Sequence, residues 1–181
     1  MGAKSSIGCD IDIRRLEKAK ALIKFKALSS TNVIRCDLEH GLPFADKTFD
    51  VVVLSEVIEH IMNQYLLFKE MHRVIRNEGF LIISTPNPRS IISILKDLYV
   101  KFFKKTFNNN TDHKHELTKG ELLSLLRKAD FEIKSYSTYG FGLSKLECIP
   151  LLRILASSSV AKKTSLGMNH LVIGLKVKDP S

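Results

Sequence analysis

The chain has 181 residues, 44% apolar and 26% charged, which fits one domain with a continuous core and argues against wholesale disorder. No stretch reaches the roughly 18–20 consecutive apolar residues of a membrane span, and MGAKSSIGCD lacks the apolar core of a secretory signal, so a cytoplasmic protein with no transmembrane segment is expected. The formal net charge of +9 suits an anionic partner such as nucleic acid, or a solvated basic surface; the even spread of Lys and Arg, with no RRM, KH or zinc-finger signature, favours the second.

SSIGCD reads as a short buried strand ending in Asp10. Asp12 is placed to cap a helix over 13–28, where Ile13, Leu16, Ala19, Ile23 and Ala27 form one apolar stripe. A second strand over 32–36 again ends at an acid, Asp37. After a turn-rich connector holding Gly41 and Pro43, FDVVVLS (49–55) is the clearest strand. Its four consecutive apolar residues predict burial on both faces, as in a parallel sheet. Asn63 caps the next helix, Asn77-Glu78-Gly79 ends it, and FLIIST (80–85) is a further buried strand stopped by Pro86 and Pro88.

The second half continues the alternation. Residues 89–107 read as an amphipathic helix, and Thr118 with Glu121 forms a capping box for a helix running to Ala129. A strand over 131–138, a helix over 143–157 with a kink at Pro150, a polar loop over 157–165 and a last strand over 169–178 complete the chain. The last two strands are expected to finish the sheet in mixed fashion. The fold class is α/β, a Rossmann-like, mostly parallel sheet with flanking helices. Cys9, Cys36 and Cys148 are odd in number and form no CxxC pair, so they read as small buried apolar residues rather than disulfide partners or zinc ligands.

Ligands of open α/β sheets bind at the carboxyl ends of the strands. Three successive strands here end in Asp10, in Asp37, and in Ser55 with Glu56. A strand-end acid accepts hydrogen bonds from a ribose diol or an exocyclic amine, so the repeated placement suggests a nucleoside-containing ligand. One such acid alone is as readily a helix cap.

IGCDID, CDLEHGLPFADKTFDVVVLSEVIEHI and FLIISTPNP resemble consecutive motifs of class I S-adenosylmethionine-dependent methyltransferases, of the type whose signature contains LPF, FD and EHI. HKHELTKGELLSLLRKADFEI is similar to their C-terminal segment. The resemblance covers the chain from Ser6 onward. It implies S-adenosyl-L-methionine as cofactor. It also implies that Asp10 holds the ribose hydroxyls, Ile11 packs on the adenine face, Asp37 accepts from the adenine amino group, and Leu38 lies beside the ring. Ser55 and Glu56 would line the methionine end. The family opens with a strand and a glycine-rich turn of the E/D-x-G-x-G-x-G type, which lets backbone approach the cofactor. Met1-Gly2-Ala3-Lys4 matches the stretch just before the family's second strand, and Gly2 and Gly8 do not supply the turn. A class I fold missing its first strand is therefore expected, with a start codon upstream. The domain is expected to span 1–181, with 89–117 as an acceptor-covering insertion.

The implied reaction is methyl transfer to a small-molecule or lipid-like acceptor. His60 is the candidate base, and His113 and His115 are candidates on the acceptor side. No third ligand completes a metal site with the His113/His115 pair, while His40, His72 and His170 read as surface or loop positions. The alternatives are a non-catalytic remnant of the fold, an RNA-modifying or RNA-binding protein, and a nicotinamide-dependent dehydrogenase. The last is disfavoured by the lack of a GxGxxG turn. The sequence leaves the oligomeric state open.

Overall fold

A computed structural model describes residues 3–90, 115–139 and 169–177. The chain divides into two compact units, Met1–Phe44 and Ala45–Ser181.

In the first unit, β1 (Ser6–Asp10), α1 (Ile13–Phe25) and β2 (Thr31–Arg35) form a βαβ unit. β1 and β2 are parallel, with Ser6 opposite Thr31 and Asp10 opposite Arg35. Helix α1 starts where it does because the Asp12 carboxylate accepts from the Arg14 amide at 2.9 Å. It ends as Ala27 turns into the left-handed region, φ 52°. The expected apolar stripe is only partly used: Leu16 is buried, Ala19 and Ile23 are half-buried, and Ile13 is exposed. The burial expected for β1 is not found either, since Ser6 to Cys9 are exposed and Asp10 is half-buried. The reason is that β1 has a strand neighbour on one edge only, among the described residues. Cys9 accordingly departs from the buried role expected of it, whereas Cys36 keeps that role.

In the second unit, β3 (Phe49–Ser55), β4 (Ile75–Pro86), β5 (Phe131–Tyr139) and β6 (Asn169–Lys176) form one sheet in the order β3-β4-β6-β5. β3 and β4 are parallel, and β6 runs antiparallel to both its neighbours, which gives the mixed finish anticipated. Helix α2 (Gln64–Val74) is capped by Asn63, which accepts from the Leu66 amide at 3.1 Å. It buries Leu67, Phe68, Met71 and Val74. Helix α3 (Lys119–Lys128) carries the expected Thr118/Glu121 capping box and buries Leu122 and Leu126. With Ile58, Ile75, Leu81, Ile83, Phe131 and Val172 these residues make the core.

Two expectations change here. β4 begins at Ile75, directly after α2, because Ile75 pairs with Phe49 before an irregularity that brings Phe80 opposite Val51. Within that irregularity a Cβ on Gly79 would fall 2.8 Å from the Asp50 carbonyl oxygen and 2.9 Å from that of Arg76, so only glycine lets the backbones approach. β3 is not buried on both faces: Val51 is 46% and Val53 61% exposed. It is the edge strand of the described sheet, so its apolar run lacks the cover a central strand receives.

Apart from Arg89 and Ser90, the helix expected over 89–107 lies outside the described residues. So do the helix over 143–157, the loop over 157–165, His113 and Cys148. Among the described residues no helix is long and apolar enough to cross a membrane.

Candidate functional site

In the first unit the parallel pairing brings the carboxyl ends of β1 and β2 to one edge. The Cys36 amide donates to the Asp10 carbonyl at 3.1 Å, which sets the two strand ends side by side. Asp10 Oδ1 accepts from the Asp12 amide at 2.8 Å, and Oδ2 lies 3.6 Å from Arg15 Nη1. Asp37 Oδ1 accepts from the Glu39 amide at 3.0 Å, and Oδ2 meets His40 Nδ1 at 3.0 Å. The Glu39 amide, helped by the His40 ring, holds the Asp37 carboxyl below its ordinary pKa. Both acids thus serve as local turn caps, the bland role open to them. Each carboxylate oxygen still has a second lone pair for a ligand. Beside them Ile11 is 54% exposed and Leu38 is half-buried, an apolar pair at the same edge.

In the second unit a polar row crosses the edge of the sheet at the carboxyl ends of β3, β4 and β5 and the start of β6. Ser84 Oγ donates to Glu56 Oε1 at 2.8 Å, which uses its only proton. The 3.1 Å contact between Ser55 Oγ and Ser84 Oγ is therefore donated by Ser55. Asn169 Nδ2 donates to the same Glu56 Oε1 at 3.4 Å and to the Tyr139 hydroxyl oxygen at 3.3 Å. Glu56 itself has φ 53°, a left-handed conformation that costs a non-glycine residue about 1–2 kcal/mol, while its amide donates to the Ser84 carbonyl at 2.9 Å.

Behind this row lies a buried polar layer. Glu59 is 1% exposed, and its Oε2 accepts from Thr85 Oγ1 at 3.1 Å. Gln64 Nε2 donates to the carbonyls of Ile58 and His115, both at 3.0 Å, and the His115 amide donates to the Glu59 carbonyl at 3.2 Å. These bonds pin the chain at His115 to the turn Ile58–His60 that follows β3. The side chains of His60 and His115 are exposed.

His170 corrects its expected surface placement. It is 1% exposed, on β6, because β6 is inserted between β4 and β5 and its alternate side chains face the core. Its Nε2 lies 3.2 Å from the Leu117 carbonyl and must donate to it, so Nδ1 accepts from the Tyr136 hydroxyl at 2.8 Å. Burial pushes the His170 pKa down, with the nearby Lys119 ammonium adding to the effect and the bond to Leu117 opposing it. His72 is half-buried with its ring edge-on to Phe131, centroids 5.3 Å apart; His40 is exposed, as expected. Among the described residues no three His, Cys, Asp or Glu side chains are grouped to hold a metal ion.

Sequence reasoning missed Ser84, Asn169, Tyr139 and the Glu59–Thr85 pair. Ser84 and Thr85 did carry a signal, two hydroxyls closing an apolar strand. Asn169 and Tyr139 carried none, because they meet only through the β5–β6 pairing.

Residues 1–83 match the family model described as a methyltransferase domain. A protein of Mycolicibacterium smegmatis named a probable S-adenosylmethionine-dependent methyltransferase is 36% identical over 119 residues, covering 62% of this chain and 42% of its own. The malonyl-[acyl-carrier protein] O-methyltransferase of a Marinomonas species is 28% identical over 136 residues, covering 75% of this chain and 47% of its own. The chain thus spans less than half the length of either relative. The crystal structure of an S-adenosylmethionine-dependent methyltransferase from Mesorhizobium loti superposes with a TM-score of 0.65 at 18% identity, over 96% of this chain and 81% of that one. That likeness shows the shared Rossmann-like α/β fold.

The donor set fits the cofactor for which these relatives are named, S-adenosyl-L-methionine. Two half-buried carboxylates at adjacent strand ends can accept from a ribose diol and an exocyclic amine, and exposed Ile11 offers an apolar face for a base. Strand-end acids, motif order and fold are in keeping with one another: over residues 1–83 the chain is similar to the methyltransferase domain family, and as a whole it has the Rossmann-like α/β fold of these enzymes.

Proposed function

We propose that the protein transfers a methyl group from S-adenosyl-L-methionine to a small-molecule or lipid-like acceptor. The observation that carries this reading is the placement of Asp10 and Asp37 at neighbouring carboxyl ends of a parallel strand pair, with Ile11 exposed beside them. In this reading Asp10 holds the ribose hydroxyls, Asp37 accepts from the adenine amino group, and Ile11 and Leu38 pack on the ring. Ser55 and Glu56 line the methionine end. The cofactor supplies a methyl group on a sulfonium that is already a good leaving group. The protein's part is to align the acceptor and exclude water. His60 is exposed in the turn after β3, where it can take a proton from an acceptor that must lose one. His115, and His113 outside the described residues, belong to the acceptor side.

The Marinomonas relative is named for O-methylation of a malonyl group carried on the acyl-carrier protein, which supports an oxygen acceptor. Calorimetric titration of the purified chain with S-adenosyl-L-methionine tests the reading. Binding is expected, weakened about tenfold or more by Asp37→Ala through loss of a hydrogen bond to a charged group. No binding by the intact chain would leave the fold as a non-catalytic remnant. The competing reading, RNA binding, would appear as RNA affinity falling steeply with added salt.

A further inference from the structure

The hydrogen bonds of the polar row all run toward Glu56. Ser55 donates to Ser84, Ser84 donates to Glu56 Oε1, and Asn169 donates to the same oxygen. Asn169 also donates to Tyr139, which makes the phenol oxygen an acceptor. Two functions are left over. The Tyr139 hydroxyl proton has no partner among the described residues, and neither does Glu56 Oε2. Both Glu56 Oε1 and the Tyr139 oxygen lie within 3.4 Å of one nitrogen, Asn169 Nδ2, so carboxylate and phenol are close enough for one small group to touch both. Both side chains are exposed, and the strained backbone of Glu56 keeps its carboxylate over the strand ends.

A free acceptor beside a free donor matches a group that both donates and accepts through one atom. A hydroxyl does this. A carboxylate would be repelled by Glu56, an ammonium has no lone pair for Tyr139, and an ether has no proton for Glu56. We propose that Glu56, Asn169 and Tyr139 form the acceptor subsite, and that it takes a hydroxyl group. This rests on the reading above, in which Glu56 stands at the methionine end of the cofactor. Tyr139 donates to the hydroxyl oxygen and Glu56 Oε2 accepts its proton. In the transfer the hydroxyl oxygen bonds to the methyl carbon, the methyl–sulfur bond breaks with its electron pair left on sulfur, and the hydroxyl proton passes to Glu56, which for a hydroxyl acceptor takes the place of His60 as base. Asn169 is a positioning residue that holds carboxylate and phenol at a fixed spacing. The specificity of the subsite comes from β5 and β6, the antiparallel pair that the cofactor-binding acids do not use.

The test uses the full chain, isotopically labelled, with phenol and its methyl ether anisole as probes. The Asn169 side-chain amide signals are assigned by their loss in Asn169→Leu. Phenol is expected to shift these signals saturably in the millimolar range, with anisole at least about fivefold weaker. Tyr139→Phe and Glu56→Gln should each weaken phenol by about three- to tenfold, the loss of one hydrogen bond. An unchanged thermal midpoint for Tyr139→Phe, and its unchanged cofactor affinity, separate the effect from misfolding. Asn169 signals that ignore phenol, or answer anisole equally, in a chain that still binds cofactor would overturn the subsite alone. Discrimination of phenol from anisole without cofactor binding would instead overturn the methyltransferase reading and leave the hydroxyl site standing.

Discussion

His170 shows how much one residue depends on its surroundings. As a letter in NHLVIGLKVK it carries no sign of burial, yet it bridges the Leu117 carbonyl and the Tyr136 hydroxyl from inside the sheet. Its pKa is lowered chiefly by burial, so the unfolded chain takes up a proton at a pH where the folded chain does not. The stability tied to neutral His170 is therefore present above the unfolded value of about 6.5 and is lost as pH falls toward the folded value. Urea unfolding should give a lower midpoint at pH 5.5 than at pH 7.5, and His170→Gln should shrink that difference. A pH dependence equally steep in the variant would remove His170 as its source. Asp10 and Asp37 are the opposite case. Their place at strand ends was legible because a strand followed by an acid is a local pattern, and the pairing of β1 with β2 sets both at one edge.

At the scale of elements, helix starts were the most readable feature. Asp12, Asn63 and Thr118 each cap a helix as read from the sequence, because a cap needs only a side-chain oxygen and an amide two or three residues on. At α3 the Glu121 carboxylate also returns to the Thr118 amide at 2.8 Å, completing the box. Thr118→Ala should cost about 1 kcal/mol in chemical denaturation, and Thr118→Ser should restore most of it. If the alanine variant unfolds at the parent midpoint, the box contributes nothing. Strand burial was read less well. Val51 and Val53 are apolar in sequence but exposed in the sheet, since the neighbours that cover a strand come from distant segments.

For the whole molecule, the two units differ in how much core they own. Ala45–Ser181 holds nearly all the buried apolar side chains, whereas Met1–Phe44 holds only Leu16 and Cys36 among the described residues. A segment that short with so little apolar burial falls below what a chain needs to fold alone. The isolated peptide 1–44 should show a coil-like far-ultraviolet circular dichroism spectrum and no cooperative melting. A sharp thermal transition in that peptide would show the βαβ unit to be self-sufficient. The same unit carries Asp10 and Asp37, so if these acids hold the cofactor as proposed, its binding is expected to track the folding of the full chain.

The sequence by itself determined the alternation of strands and helices, the helix caps, the strand-end acids and the methyltransferase-like motifs, because all of these are written in residues a few positions apart. Tertiary structure alone decided which strands are edges, that β6 enters between β4 and β5, and that Glu56, Ser84, Asn169 and Tyr139 share one row. Pairing between segments tens of residues apart depends on packing summed over the whole sheet, and no local pattern encodes it.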